Sequence, residues 1–207
     1  MASFLAEKDE IVSRNLPATW PVTYDVLLKK DFVKELKSLP DNQELGLFLE
    51  VGPKLAADAG VVYTKSDSWH RANSLFLSGY TQEDRKKLID TYFSTFKKIF
   101  GYYPKSVGAW WVDSYSLDYM QEKYGITGVL GMSDQYNLDG YSLWGTWWSV
   151  PYYPSRFNAA VPAQTEKNKL TVVTQRWAAR EPWWRDGQLV PRSIPLGGRP
   201  VSTSCMR

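Results

Sequence analysis

A chain of 207 residues with 43% hydrophobic residues holds enough apolar material for one domain with a sizeable core, which excludes general disorder. No apolar run approaches the ~20 residues that span a bilayer, the acidic start Met1 to Glu10 lacks a signal peptide's apolar centre, and the single cysteine, Cys205, excludes a disulfide framework, so a cytoplasmic protein is expected. The formal charge of +3 resides after Pro182, where Arg185, Arg192, Arg199 and Arg207 outweigh Asp186, and a neutral body excludes a nucleic-acid groove.

Residues 4–14 carry apolar positions at helical spacing, with Asn15 as a C-terminal cap and Leu16-Pro17-Ala18 as the break. Thr19 to Leu28, in which Val22, Tyr24 and Val26 alternate, predicts a strand. Asp31 then caps a short helix that presents Phe32, Val33, Leu36 and Leu39 on one face and stops at Pro40-Asp41-Asn42. Glu44 to Val51 is almost continuously apolar, as in a strand buried on both faces.

Gly52 to Gly79 is a long connection, with a helical turn at Pro53 to Ala59, and loops of such length are often functional. The helix that follows has the clearest signals. Thr81-Gln82-Glu83-Asp84 is a capping-box-like start, and Leu88, Ile89, Tyr92, Phe93, Phe96, Ile99 and Phe100 repeat at helical spacing as far as Gly101. Ser106 to Val112 is a strand, Ser116 caps a helix that ends at Gly125, and Ile126 to Met132 is a further strand. Leu143 to Tyr153 is extended, and Leu170 to Trp177 is the last clear strand. From Pro182 the pattern gives way to Pro191, Pro195, Gly197-Gly198 and Pro200. Two regions follow: an α/β domain over residues 1–181 and an irregular tail over 182–207.

Strands alternating with helices predict parallel pairing, in an open sheet or a barrel. No glycine-rich phosphate loop follows the first strand, so nucleotide binding has no support and no cofactor is expected. The predicted strands end on acids, at Asp25, Glu50, Asp113 and Asp134. In parallel folds the C-terminal strand ends gather on one face, where sites are built. Asp and Glu also cap helices, and Asp113 stands just before a predicted helix. Glu50 is harder to explain that way, because an unpaired charge in an apolar run is costly.

Aromatic residues make up 15% of the chain, with ten tryptophans, and several stand near these acids. Trp110, Trp111, Tyr136 and Trp144 are therefore candidate sugar-stacking rings, against the plainer role of large core residues. His70, the only histidine, lies in the long loop, where its near-neutral pKa makes it a candidate substrate contact. Serine-nucleophile chemistry lacks a G-x-S-x-G elbow, and no metal site is expected.

Leu16 to about Arg180 resembles the polysaccharide deacetylase-like branch of the glycoside hydrolase/deacetylase superfamily. The residues that carry the resemblance are Asn15 to Trp20, Gly46 to Val51, Phe100 to Ser114, Trp69-His70 and Trp177 to Arg180. It implies an incomplete, irregular (β/α)7-type barrel with parallel strands, truncated at both ends. The chain departs from the deacetylase pattern: the Asp-Asp motif after the first strand is missing, Glu50 stands where the histidine-bearing strand should end, and Ala109 to Asp113 replaces an Arg-x-Pro motif. The implied activity is thus carboxylate chemistry on carbohydrate, with Glu50 as acid, Asp113 as base or nucleophile, and Asp25 and Asp134 as auxiliaries. The alternatives are a carbohydrate-binding domain without turnover, or a hydrolase of non-sugar esters in the same cleft. Expected partners are an oligosaccharide and, because a partial barrel leaves open edges, a second copy in a homodimer; neither nucleic acid nor a membrane is expected.

Overall fold

The computed structural model describes residues 1–66, 71–131, 150–176, 182–185 and 188–191. Helix α1 (Ala2–Ser13) ends as the sequence predicts, on Asn15 in the left-handed region at φ 53. The N–H of Leu16 reaches the carbonyl of Ile11 at 3.1 Å and that of Asn15 the carbonyl of Val12 at 3.0 Å, a Schellman motif. Phe4 of α1 packs on Trp20 and Phe32, with ring centroids 5.6 and 5.5 Å away.

Strand β1 (Ala18–Val22) is shorter than predicted, because Tyr24–Leu27 forms a helical turn, α2. Both Tyr24 and Leu27 are buried, three residues apart on one face. Tyr24 packs edge-on against Tyr92 at 5.3 Å and donates its hydroxyl to Asp58 at 2.8 Å. These tertiary contacts override the local alternation that suggested a longer strand.

The remaining elements are α3 (Lys30–Lys37), β2 (Gln43–Phe48), α4 (Pro53–Asp58), α5 (Ala72–Leu75), α6 (Gln82–Phe100), β3 (Ser106–Gly108), α7 (Ser114–Tyr124), β4 (Gly128–Gly131) and β5 (Val173–Arg176). Strands β1 to β5 form a five-stranded sheet in sequential order, and every neighbouring pair is parallel. Gly46 of β2 is needed at its position, since a Cβ there would stand 2.7 Å from Ser106 Oγ and 2.9 Å from its carbonyl oxygen. Helix α6 begins on Thr81, whose hydroxyl accepts from Asp84 N–H at 3.2 Å, and ends on Gly101 at φ 88. Its Leu88, Phe93 and Phe96 are fully buried with Leu47 of β2 and with Leu117 and Met120 of α7. Phe93 also stacks on Tyr124 at 4.2 Å.

Beyond β4, Tyr152 makes an antiparallel bridge to Thr174. Their backbone N–H groups and carbonyls exchange bonds at 3.0 and 2.8 Å, so part of the outer edge of β5 is occupied. In the stretch from Pro182 that reads as irregular, β6 (Pro182–Arg185) and β7 (Gln188–Pro191) pair antiparallel. The Asp186-Gly187 dipeptide between them is the sequence signal for such a pair. Among the described residues no helix is long and apolar enough to cross a membrane.

Candidate functional site

All five sheet strands run the same way, so the residues that follow β1, β2 and β3 emerge at one edge of the sheet. After β2 the chain stays extended and fastened: Leu49 N–H bonds Gly108 O at 2.6 Å, and Val51 N–H bonds Leu75 O at 2.9 Å. Leu49 and Val51 are buried in the hydrophobic core. Glu50 stands between them and, by alternation, turns the other way.

Glu50 is half-buried. Its carboxyl titrates above the ordinary value of 4.5, chiefly because burial disfavours the charge. The Trp110 side chain acts on it as a hydrogen-bond donor and draws the pKa partly back, in a looser geometry than a fully formed bond. The negative charge of Asp25 pushes it up again. Trp110 itself packs edge-on against Phe48, with ring centroids 5.7 Å apart. Glu50, past the end of β2, thus feels the charge of Asp25 from beyond β1 and the side chain of Trp110 from beyond β3.

Asp25 sits in the exposed first turn of α2, after Thr23 as N-cap, so it follows a shorter β1 than the sequence predicts. A carboxylate there suits the positive end of a helical turn as well as the site.

Asp113 is the N-cap of α7, a role the sequence reading gives to Ser116. Its Oδ1 accepts from the N–H of Ser116 at 2.9 Å, and its Oδ2 accepts from the Ser116 hydroxyl at 2.7 Å. Arg85 of α6 closes on Oδ1 at 3.0 Å while donating to the carbonyls of Tyr80 and Ser78. Both carboxylate oxygens are thus engaged in holding α7 and α6 together. Trp111 packs against the core, whereas Trp110 faces Glu50, which gives the two neighbouring rings different surroundings. Strand β3 ends at Gly108, so the segment Ala109 to Val112 is a connection past the strand end.

His70, Asp134, Tyr136 and Trp144 lie outside the described residues. Among the described residues no group of three or more His, Cys, Asp or Glu side chains is placed to hold a metal ion. Two residues of the site's framework have no obvious signal in the sequence. Arg85 looks like an ordinary charged position in the first turns of a helix. Tyr92 reads as one more apolar member of the α6 core face, yet its hydroxyl lies between the carbonyls of Val22 and Phe48, at 2.7 and 2.8 Å.

The fold and these strand ends define a parallel α/β domain of sequential strand order, with Asp25, Glu50, Trp110 and Asp113 past the C-terminal ends of its strands. Residues 70–178 match the family described as a domain of unknown function with a solved structure, DUF3863. That match takes in more than half of the chain, and the chain belongs to this family. Asp25 and Glu50 precede the matched segment; Trp110 and Asp113 lie within it. A crystal structure of an inferred glycoside hydrolase/deacetylase from Parabacteroides distasonis superposes with a TM-score of 0.56 at 20% sequence identity. The superposition covers 83% of this chain and 36% of that one, so the chain spans about a third of that protein's length. At this identity the likeness shows a shared fold. No curated protein matches the chain.

Proposed function

We propose that this domain forms part of a carbohydrate-active hydrolase site and that Glu50 is the proton donor. The carrying observation is Glu50 itself: a half-buried carboxyl at a strand end, its pKa raised by burial and by the charge of Asp25, with Trp110 beside it. A general acid must hold its proton near the working pH, and burial beside a second, exposed carboxylate is how proteins arrange that. Glu50 delivers its proton to the leaving oxygen as the glycosidic C–O bond breaks, and water bonds to the anomeric carbon as its own proton passes to the second carboxyl. Asp25, which is exposed to water, is the second carboxyl of the pair, and Trp110 supplies an aromatic edge against which a sugar ring is positioned.

The sequential strand order supports a barrel-type arrangement of the (β/α)7 kind in the glycoside hydrolase/deacetylase superfamily. A doubly wound sheet reverses its order part-way along, and this sheet does not. The likeness to the Parabacteroides protein supports the same reading.

A second reading, carbohydrate binding without turnover, draws on one observation. Asp113, the base or nucleophile that the sequence suggests, has both oxygens committed to the cap and to Arg85. A panel of oligosaccharides, acetylated sugars and simple esters, offered to wild type and to Glu50→Gln, separates the readings. The hydrolase reading expects oligosaccharide turnover by wild type and binding with little turnover by Glu50→Gln. Binding without turnover by both proteins supports the second reading, and ester turnover indifferent to Glu50→Gln overturns the first.

A further inference from the structure

The two acids of the proposed site belong to different strands, and something must hold those strands at a fixed separation where the sheet ends. Residues Val22 of β1 and Leu47 of β2 are the last register pair between them. Beyond that pair the two chains diverge, β1 into α2 and β2 into the extended segment Leu49 to Val51. One side chain bridges the divergence. Tyr92 projects from the middle of α6, its ring fully buried, and its hydroxyl lies 2.7 Å from the carbonyl oxygen of Val22 and 2.8 Å from that of Phe48. These carbonyls stand three residues before Asp25 and two before Glu50.

We propose that Tyr92 is the positioning residue of the acidic pair: its hydroxyl, shared between the carbonyls of Val22 and Phe48, clamps the ends of β1 and β2 and so sets the spacing of Asp25 and Glu50. The inference rests on the reading of Glu50 and Asp25 as the working acids. Three further features fit it. Tyr24, the residue before Asp25, packs edge-on against the same ring at 5.3 Å, so the turn that carries Asp25 is tied to Tyr92 twice. Burial first, and then the negative charges of Glu50 and Asp25, hold the Tyr92 phenol in its protonated form, which keeps its donor proton in place. A phenylalanine at this position would pack as well against Tyr24, so the buried hydroxyl is accounted for by the two carbonyls it serves.

Tyr92→Phe keeps the ring and removes the clamp. The direct readout is the titration of the Glu50 carboxyl, followed by carbon-13 NMR in folded protein, which needs no substrate. In wild type Glu50 titrates above the ordinary glutamate range. In Tyr92→Phe the strand ends separate, water and distance weaken the repulsion from Asp25, and the Glu50 titration falls back toward the ordinary range. Tyr24→Phe, which also deletes a phenol near the same ring but frees no strand-end carbonyl, leaves the titration at the wild-type position. The proposal is overturned if Tyr92→Phe titrates as wild type does, or if Tyr24→Phe shifts Glu50 as far as Tyr92→Phe. Should Tyr92→Phe not fold, Asp25→Asn decides: Asp25 is exposed, and loss of its charge must lower the Glu50 titration if a set spacing couples the two acids. An unchanged titration in Asp25→Asn overturns the proposal. Failure of the hydrolase reading looks different, as a clamp visible by titration in a protein whose turnover ignores Glu50→Gln.

Discussion

The guanidinium of Arg85 lies 3.0 Å from Oδ1 of Asp113, and each side chain is only 17% exposed. This pair ties the start of α6 to the start of α7 and gives Asp113 a structural duty at the edge of the candidate site. Asp113→Ala removes the α7 cap and strands a partly buried cation, so it should destabilise the fold by about 2–4 kcal/mol. Asp113→Asn keeps the cap and should lose clearly less. Urea unfolding measures both, and equal losses would mean that the ion pair, not the cap, carries the stability.

Asp90 makes a second link between the same helices. It accepts from the hydroxyls of Tyr119 and Tyr124 and pairs with Lys123 at 2.8 Å. Burial works against its charge, but Lys123 and the two tyrosines prevail and hold its carboxyl below the ordinary 3.8. A lowered folded-state pKa means stability that is present above the ordinary value and is lost as pH falls through the lower folded one. The phenol of Tyr124 is shifted up from 10.0 by burial first and by Asp90 second, so its contribution is present below pH 10 and is lost as pH rises beyond it. Asp90→Asn should lower stability at neutral pH by about 1–3 kcal/mol and flatten the acid limb of the stability profile. Thermal unfolding between acid and alkaline pH tests the sign of both limbs.

Glu50 carries the opposite sign on the acid side. Its raised pKa means that the folded state is favoured while the carboxyl is protonated, and that this advantage is lost as pH rises through the folded value. Glu50→Gln removes a buried charge and is expected to be more stable than wild type above that pH and indistinguishable from it below. A Glu50→Gln variant less stable than wild type at neutral pH would show that the carboxylate is well paired and not poised.

The sequence made the helices with strong end signals easy to read. Thr81 and Gly101 bracket α6, and Asn15 closes α1, because capping is a local interaction between residues a few positions apart. Strand limits were less legible, since Tyr24 alternates like a strand residue yet is drawn into a helical turn by Tyr92 and Asp58, both distant in sequence. Glu50 stood out as a charge in an apolar run, whereas Asp113 drew attention as a strand-end acid although its partners make it a cap. Tyr92 and Arg85 were hidden, because nothing local marks a hydroxyl that serves two strands or an arginine that reaches across to another helix.

Gly46 gives a packing test away from the site. With a Cβ held 2.9 Å from the Ser106 carbonyl, Gly46→Ala must push β2 and β3 apart and should cost about 1–3 kcal/mol. Denaturant unfolding of Gly46→Ala against wild type reads this directly, and a neutral result would mean that the two strands are spaced more widely than described.

A second copy would find less free sheet edge than the strand count alone implies. Tyr152 occupies part of the outer edge of β5, and Pro21 removes one N–H donor from β1. A homodimer formed through β1 is therefore expected to be weak and to dissociate on dilution. Light scattering over a concentration series tests it, and a dimer that persists at the lowest measurable concentration contradicts the expectation.

If Glu50 gives up a proton in turnover, as proposed, the pH dependence of kcat/KM on any oligosaccharide the wild type turns over must carry its titration. An acid works only while protonated, so the rate should fall as pH rises through a pKa above the ordinary glutamate value of 4.5. That limb should move to lower pH in Asp25→Asn, where the repulsion that helps to raise it is gone, and Glu50→Gln should lose about 100-fold or more in rate. A limb that stays in place in Asp25→Asn, or a Glu50→Gln rate equal to that of wild type, would contradict a proton-donating Glu50.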